Sequence, residues 1–335
     1  MNRLRRVIIW CAGLASAWLA LSVLIGIVAI DWALHPARRP IDQGDENAAR
    51  DIAARDRATL TGVSVVAGDG AVLRGWMLTL QHGNNNAVIL LHGQGDNRSG
   101  MLGNADMLLR HGFSVLLPDA RAHGESGGAI ATYGVKEADD VRSWFEWLQQ
   151  ALAPRCIDGL GDSMGAAILL QSIAVEPHFC AVVAESSFAS FREASYDRLG
   201  QNLGTGPWLG RTLLQPAVEA GFLYAGIRYG IHFELASPER AVARTHVPVL
   251  LIHGLADTNL PPRHSELIKA RNPAVILWEP PNANHCGASS AEPGNYERRV
   301  IGWFEEHGRS GNPMAAALHQ TAEETGSRFS GLRGP

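Results

Sequence analysis

Gly161-Asp162-Ser163-Met164-Gly165 joins a short apolar run, Ile157 to Leu160, to a stretch with helical character. A serine hydroxyl becomes a useful nucleophile where a tight strand-to-helix turn exposes it to a base and to backbone N–H groups that receive an oxyanion. Glycines two residues to either side suit such a turn. They remove Cβ atoms that would collide where the backbone doubles back, and they let the serine take a strained φ/ψ. Alone, the pattern fits a glycine-flanked surface turn equally well, so the rest of the chain must supply a base, an acid and a second oxyanion donor.

Ligands of open parallel sheets bind outside the carboxyl ends of the strands, so the residues that end apolar runs carry the argument. The run at Ala87 ends in His92-Gly93-Gln94-Gly95-Asp96, and the run at Ser114 ends in Asp119-Ala120-Arg121-Ala122-His123-Gly124. The run at Val249 ends in His253-Gly254-Leu255-Ala256-Asp257, and the run at Ala274 is followed by Asn284-His285-Cys286-Gly287. Together with Ser163 these ends offer a nucleophile, an acid and a base in the order Ser, Asp, His.

With five such motifs in order, the chain resembles the α/β-hydrolase superfamily over roughly 62–307, in particular its prolyl-oligopeptidase-like and serine-aminopeptidase-like branches. Carried over by position, the resemblance implies that Ser163 is the nucleophile and His285 the general base. Asp257 is then the carboxylate that orients the imidazole and stabilises its charged form. The backbone N–H groups of Met164 and Gln94 would receive the oxyanion.

Each neighbour has a plainer role. His92 and His253 precede glycine at strand ends and are expected to shape turns. His123 lies in a loop that is structural in the family. Asp162 points away from the base and is expected to be a local hydrogen-bond partner. Glu185, at the end of the run after the nucleophile, is the alternative acid, and Cys286 lacks an elbow. A dinucleotide site over Gly159 to Met164 fails because Met164 stands where the third glycine belongs. Neither a Walker pattern nor an H-E-x-x-H pair occurs in the 335 residues, so no cofactor and no metal are expected.

The elements that must position these residues alternate. Val63 to Ala67 and Val72 to Leu80 flank Gly68-Asp69-Gly70, a hairpin signal. Strands are predicted at 87–91, 114–117, 156–160, 181–184, 249–253 and 274–278, with helices near 101–110, 135–149, 166–175, 262–270 and 295–306. Short continuous apolar strands alternating with helices predict an α/β fold whose twisted sheet is mostly parallel and covered by helices on both faces. Between Phe188 and Val247 no strand is legible, and 190–237 reads as a small helical cap inserted into a domain spanning 61–307. Its Trp208, Leu209, Phe222, Leu223, Tyr224 and Phe233 are expected mainly to pack on that domain, with lining a substrate cleft as the alternative, and its Arg192, Arg198, Arg211 and Arg228 mainly to face solvent, with receiving a carboxylate as theirs. The tail 308–335, rich in Gly, Ser, Ala and charge, is expected to add little to a core.

Residues 1–30 are a separate piece. Val7 to Ile30 is 24 residues without a charge, reaching about 36 Å as a helix against a hydrocarbon core of about 30 Å. A cleaved signal has a shorter apolar stretch and a small-x-small site after it; here the one nearby Ala-x-Ala, Ala15 to Ala17, lies inside the run. An uncleaved transmembrane anchor is therefore expected, followed by a linker at 31–60 with one short helix. Arg3, Arg5 and Arg6 precede the span, whereas Asp31 follows it before Arg38 and Arg39, so the positive-inside rule favours a cytoplasmic N-terminus and a periplasmic or extracellular domain.

A net charge of −4 with scattered arginines makes nucleic acid a poor partner. Of the cysteines, Cys11, Cys156, Cys180 and Cys286, none has zinc-ligand spacing. Cys156 and Cys180 begin neighbouring strands, either as a disulfide or as two buried thiols. The expected activity is serine hydrolysis of an ester, thioester or amide in a small-molecule, lipid or peptide substrate. Acyl transfer from the same acyl-enzyme, or a non-catalytic binding role for the fold, are the alternatives.

Overall fold

The structure, a computed structural model, describes residues 3–308. Beyond Gly308, the expected tail lies outside the described residues. Eight strands form one sheet: β1 (Ala58–Val66), β2 (Val72–Leu80), β3 (Asn86–Leu91), β4 (Ser114–Pro118), β5 (Cys156–Asp162), β6 (Val182–Glu185), β7 (Val249–Ile252) and β8 (Ile276–Trp278). Their spatial order is β1-β2-β4-β3-β5-β6-β7-β8. The first two are antiparallel to each other and β2 is antiparallel to β4, while all pairs from β4 through β3 to β8 are parallel.

Twelve helices surround it. They are α1 (Arg3–Leu34), α2 (Gln43–Asp56), α3 (Leu102–Arg110), α4 (Glu137–Leu152), α5 (Met164–Val175), α6 (Phe191–Asn202), α7 (Pro207–Arg211), α8 (Gln215–Tyr229), α9 (Pro238–Val242), α10 (Arg263–Arg271), α11 (Ala288–Ala291) and α12 (Pro293–Gly308). The alternation of side chains splits the apolar strands into two cores. Ile89, Leu91, Ile157 and Leu251 meet Trp144 and Phe145 of α4 and Ile168 of α5 on one face. Val88, Leu90, Leu160 and Ile252 meet Leu108 of α3 and Phe304 of α12 on the other.

Two features add detail to the expected organisation. The first helix continues past Ile30 to Leu34. The segment expected as a linker carries α2, opened by a capping box between Asp42 and Asp45, and it buries Ala49 and Ala53 against the second core. Within 31–60, Leu34, Ala49 and Ala53 are the buried residues, and the others are exposed or half-buried.

The last turns of α1 are docked on the rest of the molecule. Ser22, Gly26, Ile30 and Leu34 recur every fourth residue, share one face and are buried. Against them lies α8. A Cβ on Gly26 would stand 2.0 Å from the Ala217 carbonyl oxygen, and one on Gly221 would stand 2.7 Å from the Gly26 carbonyl oxygen. Two glycines therefore set the crossing distance. Beyond it the Tyr229 hydroxyl donates to Asp31 (2.6 Å), the Tyr133 hydroxyl donates to the Ala33 carbonyl (2.7 Å), and Ala131 N–H donates to the Leu34 carbonyl (2.9 Å). Gly26→Leu must force the helices apart and should destabilise the full chain by roughly 1–3 kcal/mol. Gly13→Leu, where a Cβ meets open space, should be neutral. Thermal midpoints in detergent compare them, and equal midpoints would refute the close crossing.

Candidate active site

In chain order β4 is laid down on one side of β3 and β5 on the other, so the strand order reverses at β3, and it is at the carboxyl ends of strands beside such a reversal that open parallel sheets bind ligands. Ser163 stands there, between the end of β5 and the first residue of α5. Its backbone has φ 54° and ψ −111°, a conformation that L residues avoid. Two bonds hold it: Ser163 N–H donates to the Glu185 carbonyl (2.8 Å), and the Ser163 carbonyl accepts from Ala167 N–H (3.1 Å). The flanking glycines permit close approach. A Cβ on Gly165 would lie 2.1 Å from the Leu91 carbonyl oxygen, and one on Gly161 would lie 2.6 Å from the Gly165 backbone.

The structure brings Ser163, His285 and Asp257 together. His285 Nε2 is 2.9 Å from Ser163 Oγ, and His285 Nδ1 is 2.7 Å from Asp257 Oδ2. The other oxygen of Asp257 accepts from the N–H groups of Asn259 and Leu260, each at 2.9 Å. Burial alone would raise the Asp257 carboxyl, but hydrogen bonds from His253, His285 and Leu260 hold it well below the usual carboxylate range. The geometry suits a hydroxyl that gives its proton to an imidazole held by a permanent anion.

The predicted donors flank the serine. Met164 opens α5, where the first N–H groups have no intrahelical acceptor. Gln94 follows Gly93, whose absent Cβ would contact Ser163 Cβ at 3.6 Å. His92 braces the turn before it, with Nδ1 2.8 Å from the Gly93 carbonyl and Nε2 accepting from Ala120 N–H (3.1 Å).

Glu185 lies elsewhere in the network. Its carboxylate accepts from Ala288 N–H (2.9 Å), while Asp257 holds the imidazole. Burial pushes Glu185 up to about 7. Beside it in register, Asp162 is raised further by burial and by the Glu185 and Asp96 charges. Asp162 Oδ1 is buried and unpartnered, which corrects the expectation of a local hydrogen bond. His253 is buried between Ser265 and the Leu260 carbonyl, and His123 Nδ1 bonds the Arg121 carbonyl. Burial and His92 push the His123 imidazole down to about 4. Burial also pushes the Cys286 thiol up, leaving it a poor nucleophile.

Cys156 and Cys180 are joined by a disulfide, resolving the two alternatives in favour of the bridge. Of the cap arginines, Arg192 and Arg211 pair with Glu219 and Glu193, while Arg198 and Arg228 are exposed. Sequence reasoning missed Ser186, whose hydroxyl accepts from Cys286 N–H (3.1 Å) and fixes the loop bearing His285. Extending the strand-end rule one residue beyond Glu185 would have reached it. It also missed Tyr133, whose hydroxyl ties its loop to α1 and which is marked only by a φ of 55°.

Between an ordinary value of 4.5 and its folded value of about 7, Glu185 keeps a proton that the unfolded chain has lost. Its contribution therefore makes stability fall as pH rises through that window and level off above it. Glu185→Gln retains an acceptor for Ala288 N–H and removes the titration. The thermal midpoint of this variant should drop less than that of the parent between about pH 5 and about pH 7. Equal drops would mean that the carboxyl titrates normally.

A sequence profile of the alpha/beta hydrolase family matches residues 88–295. The uncharacterized protein YqkD of Bacillus subtilis is 28% identical over 224 residues, covering 65% of this chain and 71% of that protein. The uncharacterized protein YfhR of Escherichia coli is 27% identical over 249 residues, covering 71% and 78%. Among solved structures, the Pyrococcus furiosus esterase Pf2001 superposes with a TM-score of 0.63 at 23% identity, over 81% of this chain and 98% of that one. The acylaminoacyl peptidase of Pyrococcus horikoshii gives 0.56 at 14% identity, over 74% of this chain and 41% of that one. At these identities the solved structures speak to the fold. The profile match, over more than half of the chain, places this protein in the alpha/beta hydrolase family.

Proposed function

We propose that the protein is a membrane-anchored serine hydrolase that cleaves an ester, thioester or amide through an acyl-enzyme on Ser163. The observation that carries this reading is the continuous contact from Ser163 Oγ through His285 to Asp257. As Oγ bonds to the acyl carbon, its proton passes to His285 Nε2, and the carbonyl oxygen takes negative charge facing the N–H groups of Met164 and Gln94. The tetrahedral species collapses, and the leaving group departs with the proton from His285. Water then gives a proton to His285 and its oxygen to the acyl carbon, the acid leaves, and Ser163 recovers its proton. Asp257 stays ionised throughout and keeps Nδ1–H pointed at itself.

Ser163→Ala and His285→Ala should each lower kcat by roughly three to six orders of magnitude, and Asp257→Asn by about four, with the double variants no worse because the three act as a unit. Ser163→Ala should also abolish labelling by a fluorophosphonate probe. Full activity with continued labelling in that variant would sink the reading. A screen of acyl chain lengths, aminoacyl amides and thioesters then selects the bond.

The same proposal keeps α1 as an uncleaved anchor, with a cytoplasmic N-terminus and a periplasmic or extracellular domain. Three arginines precede the span. Removing α1 would uncover Ala217, Gly221 and the Tyr133 hydroxyl, which pack or bond against it. The Cys156–Cys180 disulfide belongs to an oxidising compartment. The mature chain from membranes should therefore retain Arg3 to Arg6 by intact mass, and after unfolding it should show free thiols at Cys156 and Cys180 only once reductant is added. Recovery of both thiols without reductant would point to the cytoplasm.

A further inference from the structure

Trp208, Leu213, Leu223 and Ile227 of the cap are all exposed, Trp208 at 69% and Ile227 at 78%. Their setting is unusual for solvent. From Leu203 to Ile227 the chain holds only two charged residues, Arg211 and Glu219. Each is neutralised by a partner in α6: Arg211 by Glu193, and Glu219 by Arg192. An apolar patch of this kind marks an interaction surface.

The direction of α8 says what covers it. Ala217 and Gly221 lie level with Gly26, whereas Tyr229 reaches Asp31 and rests its ring on His35. Hence α8 runs in the same direction as α1, with its N-terminal end toward the middle of the apolar run. Gly26 lies four residues before Ile30, about 6 Å inside the end of that run at 1.5 Å per residue. Leu213 stands in the turn just before α8, at its N-terminal end. At the other end of α8, Tyr224, Tyr229, Arg228 and the exposed Trp32 gather near Asp31. Aromatic rings and an arginine at one level are the composition of a membrane–water interface. If α1 crosses a bilayer, the docking of α8 places the patch inside the outer leaflet, at the depth of about 5–10 Å typical of interfacial helices.

We propose that the cap is itself a membrane element: α8 and the turn before it lie in the outer leaflet beside α1, and bilayer lipid covers Leu213, Leu223, Ile227 and Trp208. This inference rests on the reading of α1 as a span. On the far side of α1 from α8, Leu24 and Val28 are exposed apolar residues at the same level, so the helix that carries the cap also presents apolar surface there.

The test uses the full chain carrying Cys11→Ser, with single cysteines introduced by Leu14→Cys, Leu213→Cys, Leu223→Cys and Leu255→Cys. Each is labelled with bimane and reconstituted in phosphatidylcholine vesicles with or without brominated acyl chains, and the signal of the Cys11→Ser parent, which retains Cys286, is subtracted. Fluorophosphonate labelling confirms that each variant is folded. Expected is loss of bimane fluorescence in brominated vesicles at Leu14, Leu213 and Leu223, and none at Leu255, which is exposed on the β7–α10 loop. Quenching at Leu14 alone would overturn the cap proposal and leave the span standing, whether water or a second copy of the chain covers the patch. No quenching at Leu14 would overturn the span, and the cap proposal with it.

Discussion

The molecule is organised around the pressure of the first turn of α5 on the ends of β3 and β5. The carbonyl of Leu91 lies where a side chain at residue 165 would begin, and the backbone at 165 lies where one at residue 161 would begin. Only glycine at both positions allows the helix to start so close to the sheet. The turn that results forces Ser163 to a positive φ, a conformation costing on the order of 1–3 kcal/mol that survives because neighbouring bonds over-determine it. The Glu185 carbonyl and the α5 ladder supply those bonds. The direction of Ser163 Oγ, the nearness of the Gln94 turn and the reach of His285 all follow from this contact.

Around that turn, carboxyls of one chemical type are driven in opposite directions. Asp257 is enclosed, yet it receives donors at both oxygens and stays an anion. Glu185 and Asp162 are enclosed with one donor between them, so burial wins and both hold protons more tightly. The count of N–H and imidazole donors decides which carboxyl can balance an imidazolium. A protonated Glu185 adds no second charge beside His285, and it still anchors the start of α11 through Ala288. Ser186 and Glu185 thus hold the His285 loop from two sides.

The long apolar helix bears on this site as well as on localisation. Its last turns meet α8 through a glycine contact and meet Tyr133 through a backbone carbonyl. Phe191 of α6 stacks on Phe233 and lies against Tyr133, so the cap and the residue that bonds the end of α1 share one aromatic cluster. Movement of α1 relative to the cap would be felt first at Tyr133 and Phe191.

The strand-to-helix alternation was legible because buried parallel strands are short, continuous apolar runs, and their ends can be located to within a residue or two. The order of Ser163, Asp257 and His285 was legible for the same reason, since each lies in the loop that follows such an end, Ser163 at its first residue. Asp162 misled because its orientation depends on which neighbours share its side of β5, and that is a property of the packed sheet. The helical content of the cap could be inferred from the absence of strands, but not its direction along α1, which depends on the meeting of Gly26 with Gly221 across nearly two hundred residues. The sequence by itself determined the fold class, the charge-free span and the set of reactive side chains, because periodicity and residue type are local. Only the tertiary structure decided which carboxyl faces His285, that Cys156 meets Cys180, and where the apolar face of the cap points, because each depends on distances between segments far apart in the chain.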